Sequence, residues 1–409
     1  MANPSITLQE MQRAGVLLPK EEMLEISKKP AKLSIGIPKE TSYQENRICL
    51  SPKAVSLLHA HGHSIIVETD AGIGANFQDK DYSEAGATIA YSPEEVYQAE
   101  IIIKVSPPTA SELNLIKPKQ ILWSAVQLSN HYGSVIKGLL ERKCTALAFN
   151  YMKDDEGVVP VVKAMGEIAG STSILIAAEY LSNVNAGKGV MLGGITGIPP
   201  VEVVIIGAGI VGEQATKTAL GLGADVKVFD NSLTRLSRLN HTLGTQRIFT
   251  SLIEQNELAK RLISADVAIG ALRAPRGRTP CVVTEEMVRD MKNGSVIVDV
   301  SIDQGGCFET SVPTNHLKPV FKKYGVIHYC IPNIPSRVAH TASLALSNIV
   351  APELIKIGEE GGFDAYLRAH TGSQNGVYIY QGLLTHKAFG QMYNLPHQDI
   401  HLLMASINY

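Results

Sequence analysis

Three glycines and one carboxylate carry the clearest chemistry in this chain of 409 residues. Gly207, Gly209 and Gly212 form a G-x-G-x-x-G run straight after the apolar, β-branched residues 203–206. An Ala-rich stretch with helical spacing follows, and a second apolar run, 226–229, ends in Asp230. The order strand, glycine turn, helix, strand, acid is that of a dinucleotide-binding βαβ unit. Gly207 permits the tight turn, Gly209 lets a pyrophosphate approach the backbone, and Gly212 lets the helix pack close to the strand. The helix N-terminus adds free N–H groups and the positive end of its dipole. Asp230 suits the diol of an adenosine ribose. Its charge opposes a 2′-phosphate, so the expected cofactor is NAD rather than NADP.

The elements around this unit alternate between strand and helix. Before it, strands are predicted over 34–37, 64–69, 100–105, 121–125 and 145–149, with helices over 52–61, 93–99 and 135–142. A long helix over 160–181 and a Gly-rich turn over 187–200 lead into the glycine motif. After it come helices over 252–264 and 284–291 and strands over 266–270, 295–300 and 327–330. A helix over 341–358 is long enough to cross back to the first half. This alternation predicts an α/β fold of two Rossmann-like domains with doubly wound parallel sheets. The expected division is an N-terminal helical extension, 1–32; a discontinuous substrate domain, 33–160 plus 339–409; and a cofactor domain, 161–338. The first half lacks a glycine fingerprint, which makes it the substrate side.

The bulk properties narrow the function classes. Charged residues are 19% of the chain and the net charge is −2, so no electrostatic footprint for nucleic acid or a membrane surface is present. The apolar fraction of 45% is enough for a sizeable core. Five scattered cysteines, Cys49, Cys144, Cys281, Cys307 and Cys330, show neither a disulfide framework nor zinc-ligand spacing. His59, His61 and His63 read as a solvated helix end, and no metal is expected. The N-terminal residues contain no apolar signal core, and the most apolar stretch, 189–212, is broken by Pro199, Pro200 and Glu202. A cytoplasmic protein is expected, without nucleic-acid or membrane partners.

From Leu33 onward the chain resembles the alanine dehydrogenase/transhydrogenase α-subunit family. The blocks that carry the resemblance are Ile35-Gly-Ile-Pro-Lys-Glu40 with Glu45-Asn46-Arg47, Gly72-Ile-Gly74, and Lys104-Val105 before a proline. Met165-Gly-Glu-Ile-Ala-Gly170, the glycine-rich turn ending in Pro199-Pro200, the fingerprint, the segment 298–307 and His328-Tyr-Cys330 complete them. Asp303, where transhydrogenases carry Glu, and the Asp230-Asn231 start of the next segment match the dehydrogenase side. Lys104-Val105-Ser106 and Pro335-Ser336-Arg337 match the transhydrogenase side. The resemblance implies two domains facing each other across a cleft, a homo-oligomer (dimer or hexamer), and a small amino-acid or 2-oxo-acid substrate.

It also implies roles for particular residues. Arg47 matches the family's substrate arginine, whose planar fork suits a carboxylate; read without the family, it is a surface ion pair with Glu45. Asp303, just beyond the predicted strand 295–300, is the acid expected at the reacting centre, while Asp299 is expected to cap a backbone turn. Arg235 is expected near the adenosine half, and Ile331 and Asn333 beside the nicotinamide. Two positions depart from the dehydrogenase pattern: Ser106 replaces the family's second lysine and Gln127 its histidine. Lys104 shares a strand face with position 106 and is the candidate to replace the missing amine; the competing reading is a supporting charge pair. His131 is a further candidate imidazole. The expected reaction is NAD-dependent oxidative deamination of a small L-amino acid, alanine first. A different amino, imino or opine-type substrate, a NAD(H)-binding transhydrogenase subunit and a NAD-binding sensor are the alternatives.

Overall fold

The computed structural model describes residues 30–126, 132–244, 248–274 and 277–406. The expected N-terminal extension therefore lies, except for 30–32, outside the described residues. The strands of the first half are β1 (Ser34–Ile37), β2 (Ser64–Glu68), β3 (Thr88–Ala90), β4 (Ile101–Ile103), β5 (Ile121–Ser124) and β6 (Thr145–Ala148). Those of the second are β7 (Glu202–Ile206), β8 (Asp225–Phe229), β9 (Phe249–Ser251), β10 (Val267–Gly270), β11 (Val296–Asp299), β12 (Val320–Lys323) and β13 (Val326–Tyr329). A hairpin of β14 (Val377–Tyr380) and β15 (Leu383–Leu384) ends the series.

The first sheet has the order β15-β14-β6-β5-β4-β1-β2-β3, and the second β12-β13-β11-β10-β7-β8-β9. The first contains the doubly wound 3-2-1-4-5-6 arrangement and the second 3-2-1-4-5 extended by β13, and in each the strand order reverses beside the first strand: between β1 and β4, and between β7 and β10. Ligands in such sheets bind outside the strand C-termini at that reversal. The strands there are buried on both faces, which explains their continuous apolar sequences. In β4, Ile101 and Ile103 enter one core and Ile102 the other.

The sheets are mixed rather than wholly parallel. β12 with β13, β14 with β6, and β14 with β15 are antiparallel. The first-sheet addition comes from the tail, whose Gln381 and Gly382 both take positive φ and so form the tight turn of a hairpin.

Helices cover the sheets. Those that matter here are α1 (Pro52–Ala60), α2 (Pro160–Leu181), α3 (Ile210–Gly221), α4 (Leu233–Leu243) and α5 (Ala339–Glu359). α2 and α5 are the two crossings between sheets, and they pack on each other. By length and composition both could span a bilayer, but here their apolar faces fill the space against α3, α1 and the loop helices. Gly170 brings α2 onto α3, since a Cβ there would lie 2.4 Å from the Val211 carbonyl oxygen.

Candidate active site

The glycine loop lies at the reversal point of the second sheet. Gly207 takes φ +116°, open to glycine but strained for other residues. A Cβ on Gly212 would sit 1.7 Å from the Gly207 carbonyl oxygen, so that position accepts no side chain. Gly209 differs. Its φ of −76° suits any residue, and a Cβ there meets nothing within 4 Å. The protein itself gives no reason for a glycine at 209, whereas a phosphate approaching the backbone does. Gly209 also opens α3 without any side-chain cap, leaving the helix's first N–H groups for a ligand. The cradle fits a dinucleotide.

Asp230 is buried at the end of β8. One oxygen accepts from the Ala208 N–H at 2.7 Å and the other from the Ser232 N–H at 2.7 Å. It ties the glycine loop to the start of α4, and each oxygen keeps a second lone pair for a ribose hydroxyl. Arg235 Nη1 lies 3.6 Å from it, half-exposed. Arg238, one turn further on α4, reaches the Ala208 carbonyl oxygen and Glu213. Sequence reading overlooked Arg238, although its offset from Arg235 places both on one face of a helix.

On the other side, the loop after β1 carries Arg47. Three serines strap it down: the N–H groups of Asn46, Ile48 and Ser51 donate to Ser336, Ser343 and Ser347 Oγ at 3.0, 2.9 and 2.7 Å. Ser343 and Ser347 are four apart on α5 and so share its face. Arg47 binds Glu45 through two bonds along one guanidinium edge, Nε to Oε1 at 2.8 Å and Nη2 to Oε2 at 2.6 Å. The pair is not at the surface: side-chain exposures are 12% and 4%. Burial favours a neutral Glu45, but the charge and hydrogen bonds of Arg47 prevail and hold its pKa below the usual carboxylate range.

Lys104 does not offer a free amine. Its Nζ lies 2.7 Å from Glu112 Oε1 and 3.5 Å from Glu40 Oε2, with none of its side chain exposed. Burial alone would lower its pKa, yet the two carboxylates raise it, so it remains an ammonium. Of the two readings of Lys104, the supporting charge pair is the arrangement present. Glu40, not singled out in the sequence, receives the backbone N–H groups of Val105 and Ser106. Burial pushes its pKa up to about 7, against the pull of Lys104. The triad fixes the backbone of Ser106, whose half-buried hydroxyl follows β4. Gln127 and His131 lie outside the described residues. The position before them is fixed by Asn150, whose side chain pairs with both backbone groups of Val126.

Asp303 stands on the 3₁₀ turn Val300–Gln304 after β11. Its Oδ1 accepts the Asn333 N–H at 3.0 Å. The residue stays exposed, and Arg47 and Arg273 are the cations whose charges act on its carboxylate. Asp299 is wholly buried and accepts from the Ser301 and Cys307 N–H groups and Ser311 Oγ; it caps the turn. Asn333, at φ 62°, donates through Nδ2 to Glu45 Oε2 at 2.9 Å. It thereby joins Asp303 of the second half to the Glu45–Arg47 pair of the first. Ile331 is 1% exposed and its side chain belongs to the second-sheet core. No group of three or more potential metal ligands occurs among the described residues.

The fold and site define a class: two doubly wound sheets, one with a dinucleotide cradle, meeting where an arginine and an acid are hydrogen-bonded into one chain. The models described as "Alanine dehydrogenase/PNT, N-terminal domain" and "C-terminal domain" match residues 36–169 and 173–387. The chain belongs to this family. It is 37% identical over 369 residues to alanine dehydrogenase 2 of Staphylococcus aureus (strain USA300), covering 90% of this chain and 98% of that protein. A solved L-alanine dehydrogenase matches with a TM-score of 0.82 and 37% identity over 88% of this chain and 99% of that one. A transhydrogenase from Sinorhizobium meliloti matches with a TM-score of 0.72 and 25% identity over 87% and 99%.

Proposed function

We propose that this protein catalyses the NAD-dependent oxidative deamination of a small L-amino acid, L-alanine first: alanine, NAD⁺ and water give pyruvate, ammonium, NADH and a proton. NAD, when bound, accepts the hydride from Cα. The carrying observation is the continuous chain Asp303–Asn333–Glu45–Arg47, which brings a carboxylate binder and an acid from different sheets to one cleft. Arg47 grips the substrate carboxylate; a charge-assisted bond of this kind contributes about 1.5–3 kcal/mol. Asp303, hydrogen-bonded to the Asn333 N–H, orients the amine and the attacking water. Gly207, Gly209, Gly212, Asp230 and Arg235 hold the adenosine half, with Asn333 on the nicotinamide side. Ser106 supplies a hydroxyl rather than a base. The substrate half comprises 33–160 plus 339–409 and the cofactor half 161–338, in keeping with the return of β14 and β15 to the first sheet. We place the enzyme in the cytoplasm as a homo-oligomer.

Ser106 in the lysine position favours a second reading, in which another amino or imino acid is preferred, or in which the chain passes hydride to a NADP-bearing partner. The test is a screen of amino acids with NAD⁺, and of their 2-oxo acids with ammonium and NADH. Turnover with alanine and pyruvate supports the first reading. Turnover with other acids alone supports the second. Absence of turnover with every acid defeats the dehydrogenase reading.

A further inference from the structure

Glu45 occupies one edge of the Arg47 guanidinium in a way that bears on how substrate is held. Its Oε1 accepts both Arg47 Nε, at 2.8 Å, and the backbone N–H of Arg47, at 3.0 Å. Its Oε2 accepts Arg47 Nη2 at 2.6 Å and Asn333 Nδ2 at 2.9 Å. Four donors thus surround one carboxylate that is 4% exposed. A guanidinium has five N–H donors arranged along two usable edges. Glu45 takes the Nε/Nη2 edge. On the opposite edge, Nη1 meets only the Met165 sulfur, at 3.4 Å, among the described residues. A thioether is a weak acceptor and yields readily to a carboxylate.

Two roles for Glu45 are compatible with the pairing alone. It could be a surrogate that an incoming carboxylate displaces, or a fixed partner that aims the free edge. The donors decide between them. Displacement would strand a buried carboxylate and leave the Asn333 amide and the Arg47 N–H without their acceptor. We propose that Glu45 is a positioning residue: it stays bound, aims the Nη1/Nη2 edge of Arg47 at the substrate carboxylate, and through Asn333 keeps that edge in register with Asp303. The proposal rests on the reading that Arg47 binds that carboxylate.

The test is steady-state kinetics of Glu45→Gln and Glu45→Asp with pyruvate, ammonium and NADH, alongside Arg47→Ala and NADH binding by fluorescence. Glu45→Gln keeps the shape and removes the charge, so the pyruvate KM rises about 10–100-fold, the worth of a charged hydrogen bond. Its kcat stays within about threefold and its NADH affinity within about twofold, because glutamine keeps an oxygen to accept the Asn333 amide and the side chain touches neither the reacting atoms nor the adenosine site. Glu45→Asp retains the charge with a shorter reach and gives an intermediate KM at unchanged kcat; it also carries the test should Glu45→Gln fail to fold. A lowered KM in Glu45→Gln would mean that Glu45 competes with substrate and overturns the proposal. So does an unchanged KM while Arg47→Ala raises it strongly. An unchanged KM in Arg47→Ala overturns the reading of Arg47 itself, and the proposal with it.

Discussion

Replacing Lys104 with methionine keeps most of the side-chain volume and removes the cation that contacts both Glu40 and Glu112. The wild-type ammonium lies 2.7 and 3.5 Å from these carboxylates with no exposed side-chain surface. Without it, two buried carboxyls remain without their counter-ion, and the fold escapes by binding a further proton. Protonating a glutamate of ordinary pKa costs about 4 kcal/mol at pH 7 and about 1 kcal/mol at pH 5. The larger figure agrees with the roughly 3–5 kcal/mol lost when one partner of a buried ion pair is removed. Lys104→Met is therefore expected to lose about 4 kcal/mol at pH 7, shrinking towards about 1 kcal/mol at pH 5. Urea unfolding followed by circular dichroism at both pH values measures this. A loss independent of pH, or one below about 1 kcal/mol at pH 7, refutes the charge-triad account. The same variant tests chemistry. The folded fraction should keep turnover within about tenfold, whereas removing a positioned acid or base costs about 10²–10⁴-fold. A drop of that size with normal stability would restore Lys104 as the missing base.

Gly209→Ala and Gly212→Ala should separate binding from folding. The first leaves stability within about 0.5 kcal/mol but weakens NADH binding, because its Cβ enters empty space by the loop. The second drives a Cβ into the Gly207 carbonyl and destabilises by about 1–3 kcal/mol or more, seen as a lowered unfolding midpoint. Asp303→Asn keeps an acceptor for the Asn333 N–H and removes the charge; kcat should fall by about 10²-fold or more while NADH titration is unchanged. Glu40 has a folded pKa near 7, above its ordinary value of 4.5. Its stabilising contribution is full below pH 4.5 and disappears as pH rises through about 7. Glu40→Gln should therefore flatten stability against pH between these limits; an unchanged slope would show that Glu40 is not the titrating group.

Much of the fold was legible because strands buried on both faces advertise themselves as apolar runs. β1, β4, β7 and β11 and the whole of α2 read out of the sequence directly. β12, with two lysines in four residues, and the half-exposed β9 lacked that signal. β14 is a buried run, Val377–Tyr380, and its Gln381-Gly382 turn is a weaker cue than Asn-Gly. α4 was legible but passed over: its buried Leu236, Leu239 and Leu243 keep helical spacing. At the site, the glycine cradle and Asp230 were readable because their partners are near in sequence. Arg47 and Asp303 emerged only through family resemblance.

The sequence by itself determined that a glycine cradle of dinucleotide type exists and that the chain is built of two α/β halves, the second carrying it. Periodicity, glycine spacing and the acid after β8 act over a few residues, so a linear reading captures them. The tertiary structure alone decided what the charges do. Lys104 is 64 residues from Glu40, Asn333 is 288 from Glu45, and α5 serines almost 300 residues away hold the Arg47 loop. Whether a lysine is a free base or a buried counter-ion depends on which carboxylates the fold delivers to it and on the water it excludes, and neither is encoded in local spacing.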